Sequence, residues 1–272
     1  MPRASWRKSA CPDGHRRACP AAVIGSRAGF FDEEAEGRKK MASTENALRI
    51  GGREVVLFGD TDARIGCIQP VDTHDLSAME EELAALHEAA GDIPVMLAAV
   101  QVHDWNAELT PWTAPPVYGK TPFGDGAAAT LAELTGLILP ELNARLGEKR
   151  WLIAGYSLAG LFALWSVYQT DAFAGAAAVS PSVWYPGWLD YAEAHTPAGV
   201  PIYLSLGDRE EKTKHPVMRE VGNAIRRQEE LLKAQGISTT LEWNPGNHFV
   251  DSGKRTAKGI AWLAKKLTND LK

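Results

Sequence analysis

The sequence has no excess of basic residues and no long apolar run, and these two absences exclude several classes of protein. Its 272 residues include 29 Lys and Arg against 34 Asp and Glu, which gives a formal net charge of −5. Nucleic acids and anionic membrane surfaces need a basic footprint, so we expect neither as a partner. No apolar run approaches the roughly 20 residues that span a bilayer. This composition favours a small neutral or polar molecule as the partner.

Cysteine is also scarce, and no secretion signal is evident. The chain has three cysteines, Cys11, Cys19 and Cys67. Their number is odd and their spacing fits neither a zinc site nor a disulfide framework, which is typical of a reducing compartment. The apolar stretch "PAAVIG" at residues 20–25 is shorter than the core of a signal peptide, which has about 7–15 residues. We therefore expect a cytoplasmic protein.

Residues 1–44 differ in character from the rest of the chain. They are rich in Arg, Pro and small residues or mix both charge signs, and their apolar residues follow neither helical nor strand periodicity. We interpret this segment as a disordered tail that precedes one domain over residues 45–272. Two origins fit such a tail: a genuine flexible extension, or a translated leader upstream of a true start at Met41.

From residue 45 onward, strand and helix patterns alternate. "ALRIGGREVVLFG" predicts a hairpin that turns at Gly51 and Gly52. Apolar runs such as "IPVMLAAVQV" predict strands covered on both faces, whereas "DLSAMEEELAALHEAAG" from Asp75 has helical spacing. A long helix is expected over residues 125–149, kinked or divided at Pro140, and a last one from about Lys254. The alternation predicts an α/β fold with a mostly parallel sheet and helices on both faces.

The segment "GYSLAG", residues 155–160, has the pattern of a nucleophile elbow. The predicted strand "RWLIA" precedes it and the apolar helix "LAGLFALW" follows it. Such an elbow needs small neighbours two positions from the serine, because the sharp turn brings them together. Here they are Gly155 and Ala159, the latter in place of the more usual glycine. Ser157 is thus the predicted nucleophile, and a simple helix-capping serine is the alternative.

The partners of such a serine follow it in the chain, first an acid and then a histidine, each at the carboxyl end of a strand. His248 fits, because it lies in "NPGNHF" between the last predicted strand and the final helix. His103 lies in an earlier strand-end loop, where it is a better candidate for a neighbour of the site than for the base. The other histidines fit less well. His15 lies in the tail, and His74 and His87 precede the serine in the chain. His195 follows a polar segment and His215 lies at the start of a helix.

Three acids follow the strand "YLSLG" directly: Asp208, Glu210 and Glu211. Any of them could orient the imidazole and stabilise the imidazolium that forms during catalysis. The remaining two would then belong to a solvated charge cluster with Arg209 or Lys212. The residues alone leave this choice open.

Four segments, "GYSLAG", "AAVSPSVWY", "LSLGDREE" and "NPGNHF", occur in this order along the chain. Together they resemble the putative-esterase branch of the α/β-hydrolases, the group of enterochelin esterases, esterase D and mycolyltransferases, over residues 45–272. The resemblance implies an α/β-hydrolase fold and a serine esterase that works through an acyl-enzyme, with no metal or organic cofactor. Family members often have an acid three residues after the glycine that ends this strand. Carried onto Gly207, this indicates Glu210 as the acid, with Asp208 as the alternative.

The resemblance also implies an oxyanion hole. One donor would be the backbone N–H of Leu158, directly after the serine. The second would come from the loop "VQVHDWNAELTPW", at Val102 or His103. Both donors would then face the carbonyl oxygen of the substrate.

A small-molecule ester is the expected substrate, and three tryptophans near strand ends are candidates for lining its pocket: Trp105, Trp112 and Trp184. Plain core packing is the alternative interpretation of these side chains. The negative net charge disfavours a strongly anionic siderophore, which local basic groups such as Lys120 would offset. Three other functions fit the same fold: an acyltransferase with the same triad, a non-catalytic binding protein and a peptidase, the last disfavoured because an amine is harder to expel than an alcohol.

Overall fold

The structure, a computed structural model, describes residues 47–117 and 119–269. The predicted tail at residues 1–44 and the start-site hypothesis at Met41 lie outside the described residues. Within the described part of the chain, every helix is too short or too polar to cross a bilayer.

Eight strands form one sheet in the described domain. They are β1 (Ala47–Ile50), β2 (Arg53–Gly59), β3 (Ile65–Val71), β4 (Val95–Gln101), β5 (Arg150–Tyr156), β6 (Ala176–Val179), β7 (Ile202–Gly207) and β8 (Thr239–Asn244). Their order across the sheet is β1-β2-β4-β3-β5-β6-β7-β8. Strand β2 runs antiparallel to β1 and β4, and all other neighbours are parallel. The predicted α/β fold with a mostly parallel sheet is therefore confirmed.

Helices cover both faces of this sheet. They are α1 (Thr73–Ala90), α2 (Trp105–Glu108), α3 (Ala127–Glu133), α4 (Leu139–Leu146), α5 (Leu158–Gln169), α6 (Trp188–Ala194), α7 (Val221–Ala234) and α8 (Ser252–Asn269). Helices α1 and α8 pack on one face, and α3 to α7 pack on the other. Strand β4 joins the two layers, because alternate residues along a strand point to opposite faces. Val95 and Leu97 pack with α1 and α8, whereas Met96 and Ala98 pack with the other layer.

The predicted hairpin is present, and its turn needs two glycines. Gly51 and Gly52 have φ angles of 60° and 91°, in the left-handed region that costs glycine nothing. Helix α1 begins at Thr73, two residues before the predicted start, because Asp72 caps it and exchanges hydrogen bonds with Asp75. A capping box of this kind fixes where a helix begins.

The predicted long helix at residues 125–149 is divided rather than continuous. Helix α3 passes into one wider π turn at Leu134–Ile138, and α4 follows with Pro140 in its first turn. Proline has no N–H to donate and its ring collides with the preceding turn, so a local change of helix geometry accommodates it. Helix α8 begins at Ser252, close to the expected Lys254. Helices α2 and α6 were not predicted, since both are short.

Candidate active site

Ser157 lies at the sharp turn between β5 and α5. Its φ and ψ angles are 60° and −120°, a combination that is strained for any residue with a side chain. A Cβ atom on Gly155 would lie 2.4 Å from the backbone carbon of Ala159, and one on Gly160 would lie 2.9 Å from two backbone carbonyl oxygens. Glycine is therefore required at both positions. Ala159 is accommodated because Gly155 opposite has no side chain.

A chain of hydrogen bonds joins the serine, the histidine and one acid. His248 Nε2 lies 3.0 Å from Ser157 Oγ, and His248 Nδ1 lies 2.7 Å from Glu210 Oε2. The three side chains come from the carboxyl ends of β5, β7 and β8. With Glu210 ionised, Nδ1 carries the proton and Nε2 accepts the hydrogen bond from the serine hydroxyl.

Glu210 is buried, with 7% of its surface exposed. Its Oε1 accepts hydrogen bonds from Ser180 Oγ and the Gly207 N–H, both at 2.7 Å. Burial alone would raise the pKa of this carboxyl, but the hydrogen bond and charge of His248, together with the bonds from Ser180 and Gly207, lower the pKa below its ordinary value. The group is therefore a carboxylate at neutral pH.

The other two acids of this loop face elsewhere. Asp208 is exposed and accepts a hydrogen bond from the Gly246 N–H at 2.8 Å. Glu211 pairs with Arg226 at 2.9 Å. The short 3₁₀ turn at Glu210–Lys212 turns the first of its side chains inward and the second outward. Of the three candidate acids, only Glu210 contacts His248.

Arg255, in the first turn of α8, is a buried neighbour of this group that the sequence analysis missed. It is 2% exposed, and its Nη1 lies 3.2 Å from Glu210 Oε1 and 3.1 Å from the Tyr156 hydroxyl. Its Nη2 donates to the carbonyls of Pro245 and Asn247 at 2.9 and 3.1 Å. The sequence gives no signal that singles it out, because its neighbour Lys254 is also a cation in the first turn of α8.

A cavity of about 700 Å³ opens beside Ser157 and His248. Its apolar lining comes from Trp184, Met218, Val221 and Phe249. Of the three predicted pocket tryptophans, only Trp184 lines this cavity. Trp112 instead donates to the Pro186 carbonyl at 2.8 Å and packs against aromatic rings, and Trp105 packs against the core. These two positions favour the packing interpretation.

The two predicted second oxyanion donors are both engaged in other hydrogen bonds. The Val102 N–H donates to the Val71 carbonyl at 2.9 Å, and the His103 N–H donates to Glu108 Oε1 at 2.8 Å. The structure therefore does not support this part of the prediction. The sequence could not reveal that these two N–H groups are engaged, because their acceptors, Val71 on β3 and Glu108 on α2, are brought to them only by the fold. Leu158, by contrast, is the first residue of α5, where backbone N–H groups have no partner within the helix.

A family model described as Putative esterase matches residues 66–251, which is more than half of the chain. The chain belongs to this esterase family. Its activity class is accordingly that of a carboxylic-ester hydrolase. A search of curated proteins found no match to this sequence.

Solved structures of hydrolases share the fold. An IroE-like serine hydrolase from Shewanella oneidensis is 14% identical with a TM-score of 0.65, covering 81% of this chain and 77% of that one. The siderophore hydrolase EstA from Aspergillus nidulans is 19% identical with a TM-score of 0.63, covering 88% and 99%. The enterobactin esterase from Shigella flexneri is 16% identical with a TM-score of 0.60, covering 81% and 59%. At these identities the likeness establishes the α/β-hydrolase fold.

Proposed function

We propose that this esterase cleaves small-molecule carboxylic esters by covalent catalysis, with Ser157 as nucleophile, His248 as general base and Glu210 as the acid that orients the base. The observation that carries the proposal is the unbroken line of hydrogen bonds from Glu210 Oε2 through the imidazole to Ser157 Oγ. Such a line is the geometric signature of an activated serine.

In the first half of the reaction, Ser157 Oγ attacks the ester carbonyl carbon while His248 Nε2 takes the hydroxyl proton. The carbonyl oxygen becomes an oxyanion, and the backbone N–H of Leu158 at the start of α5 donates to it. The imidazolium that forms is stabilised by the Glu210 carboxylate, which remains ionised throughout. His248 then gives its proton to the departing alkoxide, so that the alcohol leaves and the acyl group stays on Ser157.

In the second half, a water molecule enters and His248 removes its proton. The hydroxide attacks the acyl carbonyl, the same oxyanion site holds the charge, and the proton returns to Ser157 Oγ as the carboxylic acid leaves. An alcohol in place of water would give acyl transfer, so product analysis with an added acceptor separates the two reactions.

Labelling with a fluorophosphonate probe, combined with hydrolysis of 4-nitrophenyl acetate, tests this proposal. We expect wild type to label and turn over, and Ser157→Ala to do neither while retaining its circular dichroism and melting temperature. Ser238→Ala, at an exposed serine between α7 and β8, is the matched control and should behave as wild type. Full activity of Ser157→Ala, or no labelling of folded wild type, would refute the assignment.

A further inference from the structure

Two cations line the cavity beside Ser157, and neither has a side-chain partner among the described residues. Arg209 and Lys212 flank Glu210 in the loop after β7, and both are exposed. Within residues 47–117 and 119–269, their side chains make no hydrogen bond or ion pair. Nearby arginines behave differently, since Arg219 pairs with Glu220 and Arg226 pairs with Glu211. Two cations without a protein partner among the described residues therefore stand at the wall of the cavity.

The acidic groups of the cavity do not neutralise these cations. Among the described residues that line it, Glu210 is the one acid. Its two oxygens are taken up by His248, Ser180, the Gly207 N–H and Arg255. The cavity therefore presents net positive charge at its wall, although the whole chain has a net charge of −5.

Four of the side chains that line the cavity are apolar, and one of them is open to solvent. Phe249 follows His248 directly and is 89% exposed. A large apolar side chain in this position gains free energy when a ligand covers it. Trp184, Met218 and Val221 extend the same apolar surface inside the cavity.

We propose that the substrate is an ester with an apolar body and an anionic group, in which Arg209 and Lys212 bind the anion and Phe249 covers the apolar part. This inference rests on the proposed function, because it assigns the cavity beside Ser157 to the substrate. An anion that meets these two cations displaces water but breaks no existing ion pair, so the screened attraction contributes to binding. Lys120, the basic group singled out in the sequence, does not line this cavity.

Two esters that differ in a single group test the proposal. They are 4-nitrophenyl hexanoate and the mono-4-nitrophenyl ester of adipic acid, in which a carboxylate replaces the terminal methyl group. We expect wild type to have the higher kcat/KM with the adipate ester. In the double variant Arg209→Gln/Lys212→Gln this preference should fall by about fivefold to tenfold, the effect of two partly screened charges. The preference of wild type should also fall with added NaCl.

The control variant is Arg219→Gln/Arg226→Gln, which removes the same two charges outside the cavity and should keep the wild-type preference. Equal kcat/KM for the two esters, or an unchanged preference in the cavity variant, would overturn the proposal. The dissociation constants of both esters with Ser157→Ala provide a second measurement. Binding is detected by the quenching of tryptophan fluorescence by the nitrophenyl group. If wild type cleaves neither ester, the proposed function fails, while a binding preference for the adipate ester still supports the anion site.

A second inference comes from a different observation, the contacts of Arg255. Its guanidinium touches the acid Glu210 on one side and two carbonyls of the His248 loop on the other. It also contacts the Tyr156 hydroxyl, which itself donates to the His248 carbonyl at 2.8 Å. One buried side chain therefore connects the acid, the loop of the base and the strand that ends at Ser157.

We infer that Arg255, together with Tyr156, is a positioning residue that holds the His248 loop against Glu210. Without it, the loop loses the two hydrogen bonds to the Pro245 and Asn247 carbonyls, and the imidazole shifts away from Ser157 Oγ. A displacement of about 1 Å at this point costs up to about a hundredfold in rate. Substrate contacts are untouched, so the effect falls on kcat rather than on KM.

Kinetics of three variants with 4-nitrophenyl acetate test this role. Arg255→Met should lower kcat by about tenfold to a hundredfold with KM changed less than about twofold. Arg255→Lys keeps the charge and three N–H donors but lacks the planar fork that reaches Glu210 and the loop carbonyls together, so we expect only partial recovery. The control is Arg150→Met, because Arg150 reaches the Leu267 carbonyl at the opposite end of α8 and should leave kcat unchanged.

Folding of each variant is checked by its melting temperature. Folded Arg255→Met with the kcat of wild type would overturn the inference, and so would full recovery in Arg255→Lys, which would mean that charge alone matters. If Arg255→Met does not fold, Tyr156→Phe decides, because it removes only the hydroxyl that reaches the His248 carbonyl. We expect its kcat to fall several-fold at constant KM, and an unchanged kcat would count against the role.

Discussion

Two glutamates of this protein have nearly the same exposed fraction, and yet their pKa values are shifted in opposite directions. Glu210 is 7% exposed and Glu82 is 6% exposed. The pKa of Glu210 is lowered from its ordinary value, whereas the pKa of Glu82 is raised to about 8. At neutral pH the first is a carboxylate and the second is predominantly a neutral acid.

The partners of the two groups account for most of this difference. Removal from water raises the pKa of both groups, but Glu210 receives four hydrogen bonds, one of them from a guanidinium. Glu82, on α1, receives one from Gln69 Nε2 at 3.3 Å, and its Oε1 has no partner among the described residues. A protein interior thus keeps a carboxylate charged only where donors converge on it. In this molecule they converge beside His248.

Removing the charge of Glu210 should have the largest effect. In Glu210→Gln the amide NH2 group faces groups that donate hydrogen bonds to the carboxylate of wild type. The imidazole of His248 is then no longer held in the tautomer and orientation that the proposed mechanism needs. We expect kcat to fall on the order of 10³ to 10⁴-fold, measured with 4-nitrophenyl acetate, with a wild-type circular dichroism spectrum. Asp208→Asn is the control and should remain active. A loss of less than about tenfold would contradict the role of Glu210.

Glu82 should affect stability rather than activity. Its pKa in the folded state lies above that of the unfolded chain, so its stabilising contribution is complete below about pH 4.5 and is lost as pH rises through about 8. We expect the free energy of unfolding to fall by about 3 kcal/mol between pH 5 and pH 8 from this group. In Glu82→Gln this part of the decline should be absent, as measured by urea denaturation at both pH values.

The comparison for this experiment is Glu81→Gln, at the exposed neighbouring position. It should keep the pH dependence of wild type. If Glu82→Gln shows the same decline as Glu81→Gln, then Glu82 is already ionised in the folded protein at neutral pH, and the contrast with Glu210 disappears.

Ser180→Ala should have the smallest effect of the three. It removes one of the four donors to Glu210, and a hydrogen bond to a charged group contributes about 1.5 kcal/mol. We expect kcat to fall about fivefold to tenfold, because the remaining donors still hold the carboxylate. Ser182→Ala is a close control, since the buried Ser182 Oγ has no partner among the described residues. Equal activity of the two variants would mean that Ser180 contributes nothing to the charge of Glu210.

The fold class could be predicted from the sequence because its signals are local. Apolar runs, helical spacing and the glycines at residues 51–52 each act over a few positions, and they define the order of strands and helices. The order of strands across the sheet has no such local signal. The π turn before Pro140 and the short helix α6 were also missed, because packing rather than propensity decides them.

In the candidate site, too, some residues have a local sequence signal and others do not. Ser157 was recognisable from its small neighbours, and His248 from its place after the last strand. Three acids within four positions could not be separated by the residues alone, and only the family pattern favoured Glu210. The engagement of Val102 and His103 depends on contacts with Val71 and with Glu108 on α2, and no local pattern encodes these.

Strand β8, which His248 follows, is the outermost strand on its side of the sheet and the last of the eight described strands in chain order. A nascent chain therefore exposes Ser157 well before the residue proposed to activate it. In the folded protein β8 pairs with β7, and His248 Nε2 lies 3.0 Å from Ser157 Oγ. We therefore expect a truncated product that ends before this strand to contain Ser157 without its proposed base, and to cleave no esters.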